Sequence, residues 1–153
     1  VDPLQTLHLT ARSDGAWLVW QENGASAESI PPIYAARVDT NGAVGGDAIQ
    51  VNEGGNHGPT AATRLRDGLV VAWIDSVDPS APTIVFQVID DEGQLAAGAS
   101  MPTNEAWLAG DRIGLLGSPD GKSLLLTWSG WPDIGAEIPK RVYVARFDCV
   151  DHG

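Results

Sequence analysis

Several residue types that supply cross-links or metal ligands are scarce in this sequence. Cys149 is the single cysteine among 153 residues, so no disulfide bond within the chain stabilises the fold. The three histidines, His8, His57 and His152, lack the spacing of a zinc site. No apolar run reaches the roughly 18 residues of a membrane-spanning helix, and no helical periodicity extends beyond one turn. These absences exclude a disulfide scaffold, a zinc site, a membrane span and a helical fold.

Basic residues are also scarce, with 9 Lys and Arg against 20 Asp and Glu, which gives a formal net charge of −11. This charge repels phosphate backbones and anionic membranes, so we expect no nucleic-acid partner. The sequence lacks a Gly-x-Ser-x-Gly elbow, a phosphate-binding glycine loop, a dinucleotide fingerprint and a His-Glu-x-x-His motif. The chain opens with Val1 and has no basic-then-apolar leader, so we expect a processed form or a fragment.

What the sequence does contain is a repeat. An Asp-Gly pair returns at intervals of 53 residues, and an apolar run that ends in Trp follows it each time. The pairs are Asp14-Gly15, Asp67-Gly68 and Asp120-Gly121. Asp-Gly is a hairpin turn signal, because Gly tolerates positive φ and Asp bonds its own backbone. A fixed period of this length predicts one supersecondary unit used three times, packed against its own copies.

Each unit is predicted to contain up to four strands. The first strands are residues 7–13, 60–66 and 113–118, and the second strands are the apolar runs, which we expect to be buried on both faces. The third strands are residues 33–39, 84–90 and 142–148, and weaker fourth strands follow at residues 48–52 and 99–103. The chain is thus one repeat domain with units at about residues 7–53, 59–105 and 112–153. The third unit lacks a fourth strand, and residues 1–6 lie where such a strand would be.

The repeated residues resemble the β-propeller-type repeats of secreted bacterial proteins. The resemblance rests on Ile33-Tyr34-Ala35-Ala36-Arg37-Val38-Asp39, on Pro59-x-Ala61 and on Asp67-Gly68 with the run to Trp73. Ser118-Pro119-Asp120-Gly121-Lys122 is similar to the Ser-Pro-Asp-Gly-Lys turn of TolB-type propeller repeats. The resemblance implies an all-β, β-propeller-like fold with three four-stranded blades per chain. No catalytic residue follows from it, because the matching positions are structural.

A propeller ring typically needs four to eight blades, so we expect another chain, in a homo-oligomer or as a partner, to complete the ring. In that arrangement residues 1–6 would complete the last blade of the neighbouring chain. One alternative is that the chain is part of a longer or split propeller. Another is a β-trefoil, which also has three four-stranded units. The propeller is favoured because a second strand buried on both faces fits a sheet held between two other sheets.

Ligands of propellers usually contact the loops that join second to third strands and one blade to the next. Two tryptophans lie in these predicted loops outside the repeat. Either they stack on a ligand, or each caps the core beneath its own loop. Polar residues near them are further candidates. The simpler interpretation of the acidic ones is a solvated rim of the protein surface. The candidate ligand-binding residues are Trp107, Trp131, Asn56, His57, Asp75 and Asp133. Trp17, Trp20, Trp73 and Trp128 are assigned to the core.

The sequence therefore favours a noncatalytic, lectin-like binding module, extracellular or at a cell surface, that recognises carbohydrate or protein on its loop face. The first alternative is a structural subunit that completes a multi-chain propeller. The second is a glycan-processing enzyme in which carboxylates such as Glu22 and Asp75 act across a central cavity. We expect no catalytic residue, no metal and no cofactor, although loop carboxylates are also possible calcium ligands.

Overall fold

The computed structural model describes residues 6–22, 32–52, 57–66, 68–75, 83–96, 98–102, 109–130 and 141–148. These residues form strands and turns, and no helix among them is long and apolar enough to cross a membrane. The strands are β1 (Thr6–Arg12), β2 (Gly15–Gln21), β3 (Ile33–Asp39), β4 (Val44–Gln50), β5 (His57–Leu65), β6 (Gly68–Asp75), β7 (Thr83–Ile89), β8 (Ala99–Pro102), β9 (Ala109–Gly117), β10 (Ser123–Gly130) and β11 (Arg141–Asp148).

The strands form three antiparallel sheets, one for each predicted repeat unit. Blade 1 has the order β1-β2-β3-β4, blade 2 has β5-β6-β7-β8, and blade 3 has β9-β10-β11 within the described residues. The innermost strands are neighbours, because β1 contacts β5 and β5 contacts β9. The chain therefore has an all-β, β-propeller-like fold of three blades. Thr6 belongs to β1, and the rest of the predicted segment 1–6 lies outside the described residues.

Two separate apolar cores lie between the blades. The first joins Trp17, Val19 and Ile33 of blade 1 to Leu69 and Val71 of blade 2. The second joins alternate residues of β6 and β7 to blade 3, and its buried members are Val70, Ala72, Ile74, Ile84, Phe86, Leu124 and Leu126. Strand side chains point alternately to opposite faces, so blade 2 is packed on both sides. A β-trefoil would close its three units around one barrel, so the trefoil alternative does not fit.

Burial of the second strand differs among the three blades. Residues 68–74 of β6 are all buried, as predicted. In β2 and β10 the buried residues face blade 2, and the residues between them are half-buried or exposed. The prediction that all three second strands are buried on both faces is wrong for β2 and β10. The reason is position, because each of these strands has a neighbouring described sheet on one side only.

Polar contacts also join the inner strands. The Thr6 and Thr60 hydroxyl oxygens are 2.8 Å apart, and Nε2 of His8 donates to the Thr60 carbonyl oxygen at 2.8 Å. The Gly117 amide of β9 donates to Oγ1 of Thr63 in β5 at 3.0 Å. Such bonds compensate polar groups that the packing of one blade on another removes from water.

The turns after β3 and β7 are each stabilised by an aspartate at or directly after the end of the strand. Oδ1 of Asp39 accepts hydrogen bonds from the amides of Asn41 at 2.8 Å and Ala43 at 2.9 Å. Oδ1 of Asp90 accepts one from the Gln94 amide at 2.7 Å. Gly42 and Gly93 have φ values of 83° and 88°, a conformation that Gly adopts without steric cost. The two turns are therefore built in the same way.

These bonds predict a pH dependence of stability. The amides of Ala43 and Asn41 lower the pKa of Asp39 from its ordinary value of 3.8, because both bonds favour the charged carboxylate. Because the pKa of Asp39 is lower in the folded chain, the carboxylate contributes free energy of unfolding above pH 3.8. This contribution is lost as the pH falls through the pKa of the folded state. We expect Asp39→Asn to reduce the fall in the urea midpoint between pH 5 and pH 2. Asp47→Asn, at an exposed position of β4, is the control and should leave that fall unchanged.

Candidate functional site

The register of the strands gives each blade two different ends. β1 and β5 begin where β2 and β6 end, since Thr6 pairs with Gln21 and His57 pairs with Asp75. In blade 3, Ala109 of β9 pairs with Gly130 of β10. We call this side, with Thr6, Gln21, His57, Asp75, Ala109 and Gly130, the loop end. The opposite side, with the β1–β2 and β9–β10 hairpins and the turns after β3 and β7, is the turn end.

The loop end brings together two of the residues predicted from the sequence. His57 begins β5 and Asp75 ends β6, and their Cα atoms are direct partners across the ladder. Asp75 is half-buried and also pairs with Thr83 of β7. The ladder is irregular between His57 and Thr60, which turns the start of β5 away from a regular strand path. The His57 side chain lies outside the described residues, so the pair is placed by its backbone.

Glu22 occupies in blade 1 the position that Asp75 has in blade 2. Each residue lies two positions after the recurring tryptophan of its second strand, Trp20 or Trp73. Glu22 is exposed, its amide donates to the Pro32 carbonyl at 3.1 Å, and Oε1 accepts from Nε1 of Trp20 at 3.4 Å. Blade 3 has Gly130 at this position, paired with Ala109 and Arg141. At this strand position, two of the three blades carry a carboxylate.

Other predicted loop residues are outside the described part of the chain. These are Trp107, Trp131, Asn56 and Asp133. The segments that contain them join strand ends at the loop end, because Pro102 is followed by β9 and Gly130 by β11 along the chain. The positions and contacts of these four residues stay a prediction.

The tryptophans assigned to the core divide into two groups. Trp17 is fully buried and Trp73 is nearly so. Trp20 and Trp128 are half-buried, and they stack on Tyr34 and Tyr143 with ring centroids 5.5 Å apart in both pairs. The core assignment is confirmed for Trp17 and Trp73, and Trp128 packs partly buried against the second core. It is wrong for Trp20, which is half-buried and belongs to neither core, because no described sheet covers its side of blade 1.

Sequence reasoning missed two polar residues beneath the loop end. His8 alternates with exposed residues of β1 and faces β5, where it bonds to Thr60. Asn52 is buried, and its Oδ1 accepts a hydrogen bond from the Ile33 amide at 2.7 Å. Period-two alternation in β1 was the available signal for His8. No local signal identifies Asn52, because its partner lies 19 residues earlier in the chain.

The turn end carries the features that sequence reasoning did not assign to a site. Two open depressions of about 610 and 530 Å³ share Gly117, Ser118, Pro119 and Asp120 in their walls. Oδ1 of Asp120 accepts from the Ser118 hydroxyl at 2.5 Å and from the Lys122 amide at 3.1 Å. These bonds lower the pKa of Asp120, the Ser118 hydroxyl most strongly. The Asp120 carboxylate therefore stabilises its own turn by accepting these two hydrogen bonds.

A group of three carboxylates also lies at the turn end. Asp90, Asp91 and Glu92 have oxygen atoms within 4.8 Å of one another. The pKa of Glu92 is raised by its hydrogen bond to Asp91 and by the neighbouring negative charges. The turn is exposed and follows β7 at the end away from Asp75. These carboxylates are therefore not part of the loop end, to which the sequence assigns the candidate calcium ligands.

Comparisons with known proteins identify similar folds and no family. No protein-family model matches the sequence, and no curated protein is significantly similar to it. Among solved structures, the endo-arabinase from Bacteroides thetaiotaomicron VPI-5482 superposes with a TM-score of 0.58 over 95% of this chain at 14% identity. The alpha-L-arabinofuranosidase from Lactobacillus brevis superposes with a TM-score of 0.56 over 100% of this chain at 12% identity. This chain spans 56% of the length of each of these two proteins. At such identities the likeness establishes the fold.

Proposed function

We propose that this chain is part of a carbohydrate-binding β-propeller, with the ligand held at the loop end. The observation that carries the proposal is the fold similarity to two proteins named for action on arabinose-containing substrates, over nearly all of this chain. Carbohydrate was one of the two ligand classes expected from the sequence. An extracellular or cell-surface location belongs to the same proposal, because it was inferred from the resemblance to secreted repeats.

The loop end offers suitable chemistry. Sugar rings are bound by aromatic faces together with hydrogen-bonding groups at their edges. In the proposed site Trp107 and Trp131 stack on the sugar, and Asn56, His57, Asp75 and Asp133 bond to its hydroxyl groups. Asp75 is held at the end of β6 between two paired strands, so it has the fixed backbone that a binding residue needs.

Catalysis is the second candidate function, and the comparisons favour it over a purely noncatalytic module. Both superposed proteins are named as enzymes that process glycans. Glycoside hydrolysis needs two carboxyl groups on either side of the scissile bond. Glu22 and Asp75, at equivalent positions on neighbouring blades, are the carboxylates proposed for this role. A structural subunit of a multi-chain ring, without a ligand of its own, is the remaining alternative.

Binding of arabinose-containing oligosaccharides, measured by calorimetry against a glucose-based oligosaccharide, tests the proposal. We expect Trp107→Ala or Trp131→Ala to weaken binding at least roughly tenfold, the loss of about 1.4 kcal/mol of stacking energy. Asp75→Asn should also weaken it, and the charge-matched control Asp47→Asn, on the edge strand β4, should not. Unchanged affinity in all three loop variants would contradict the proposed site.

Release of reducing sugar from the same oligosaccharides distinguishes the enzyme from the binding module. If the chain is catalytic, Glu22→Gln and Asp75→Asn should each abolish release, because one carboxyl group alone cannot act as both acid and nucleophile. Asp47→Asn should retain full activity. Binding without release in the unsubstituted protein supports the noncatalytic module, and the absence of both supports the structural subunit.

A further inference from the structure

We infer that the two outer faces of the three-blade arc bind a second copy of this chain, so that two arcs close a six-bladed ring. The inference rests on the fold and does not depend on the proposed carbohydrate ligand. The faces are the side of blade 1 and the side of blade 3 that point away from blade 2. We call them the first and last flanks.

The last flank exposes residues that are buried at both existing junctions between blades. Val142 pairs with Ser129, as Ile33 pairs with Gln21 and Ile84 with Ile74. By the repeat these three aliphatic residues are equivalent. Ile33 is 0% exposed and Ile84 is 1% exposed, whereas Val142 is 75% exposed.

The same comparison holds along the rest of the last flank. Val144 is equivalent to Ala35 and Phe86, which are both buried, but Val144 is exposed. Leu125 takes the position of Trp17 and Val70, and it is exposed where they are fully buried. Together with Leu116 these residues form an apolar face on β9, β10 and β11. The depression of about 610 Å³ opens beside it, between Leu116, Leu125 and Arg146.

The first flank is the complementary half of the same kind of junction. Blades 2 and 3 each present three apolar residues to the blade before them, Leu69-Val71-Trp73 and Leu124-Leu126-Trp128. Blade 1 has Ala16, Leu18 and Trp20 in this position. Beside them Leu7 and Leu9 are exposed, whereas their equivalents Ile113 and Leu115 pack in the second core.

A second copy supplies the surface that each flank lacks. The first flank of one chain fits the last flank of another in the way that blade 2 fits blade 1. A two-fold pair uses both flanks of both chains, because the two junctions are related by the symmetry axis. Six blades lie within the range that closes a propeller. Neighbouring exposed aliphatic side chains of this kind are typical of an interface rather than of free surface.

Sedimentation equilibrium of the full chain tests this inference. We expect a mass twice the 16.1 kDa of one chain, and a return to one-chain mass in Leu9→Asp and in Val144→Asp, since a charge there is buried unpaired in the dimer. Leu95→Asp, at an exposed leucine after β7, is the matched control and should remain dimeric. Far-UV circular dichroism checks that each variant is folded, which substitutions at exposed positions should allow.

Mixing the two flank variants tests how the chains are paired. A heterodimer of Leu9→Asp and Val144→Asp chains has one unsubstituted junction and one junction with both charges. We therefore expect the mixture to regain part of the dimer that each variant loses alone. A folded, unsubstituted chain of one-chain mass would overturn the inference, as would open assemblies larger than two copies. A dimer that survives either charged substitution would overturn it as well.

Discussion

Gly117→Ala is expected to lower the free energy of unfolding by about 3 kcal/mol. Gly117 ends β9, and a Cβ atom there would lie against the Arg64 carbonyl oxygen, well inside van der Waals contact, and 3.5 Å from Oγ1 of Thr63. The carbonyl belongs to β5, whose backbone is held by its ladder with β6. Relief therefore requires blade 3 to move away from blade 2, which disturbs the Gly117–Thr63 hydrogen bond and the second core.

Gly45→Ala is the matched control for this substitution. Gly45 lies in β4 with no heavy atom within 4 Å of the position of an added Cβ, and its φ lies outside the left-handed region. We expect a change of less than about 0.5 kcal/mol in the free energy of unfolding, measured for both variants by urea denaturation. Equal stability of the two variants would mean that β9 does not approach β5 as described.

Trp17→Ala is expected to cost about 3–5 kcal/mol of unfolding free energy, the usual loss for a buried tryptophan. Trp17 is fully buried in the core between blades 1 and 2. The guanidinium carbons of Arg12 and Arg37 each lie 5.2 Å from its ring centroid, so the variant also loses two cation–π contacts. Nε1 of Trp17 has no hydrogen-bond partner among the described residues. Trp17→Phe should therefore cost less, because it removes an unsatisfied N–H.

Trp20→Ala gives the comparison on the same strand. Trp20 lies three residues later and faces the first flank, where it is half-buried and stacked on Tyr34. For the isolated chain we expect a loss of about 1–2 kcal/mol, from the stacking, the partial burial and the long hydrogen bond to Glu22. Thermal and urea unfolding at a protein concentration that keeps the chain monomeric measure both variants. A larger loss for Trp20 than for Trp17 would contradict the assignment of Trp17 to the junction.

Much of the fold was predictable because the repeat aligns three copies of each strand. The third strand of blade 1 was predicted at residues 33–39, as observed for Ile33–Asp39, and the others were within one residue. β4 was predicted at residues 48–52 and is Val44–Gln50. Its sequence, Val-Gly-Gly-Asp-Ala-Ile-Gln, has little strand propensity. Pairing with β3 across an irregular register, and not local preference, forms this strand.

The candidate site was predictable only in part. Asp75 follows the recurring Trp73 and His57 precedes the predicted first strand of its unit, so the sequence predicts both at the loop end, where their backbones pair. The exposure of the flanks was not predictable, because an apolar run gives no information on which sheets lie beside it. Val142 and Ile84 are both β-branched aliphatic residues at equivalent positions. Ile84 is buried and Val142 is exposed, because only Ile84 has a described blade beside it.

Methyl NMR of a protein labelled at Ile, Leu and Val tests most directly whether three sheets are stacked with two cores between them. We predict nuclear Overhauser contacts of Val19 and Ile33 with Leu69 and Val71, and of Leu124 and Leu126 with Val70 and Ile74, as two separate sets. Direct contacts between Val19 and Leu126 would contradict this arrangement, because they require blades 1 and 3 to share one barrel-like core.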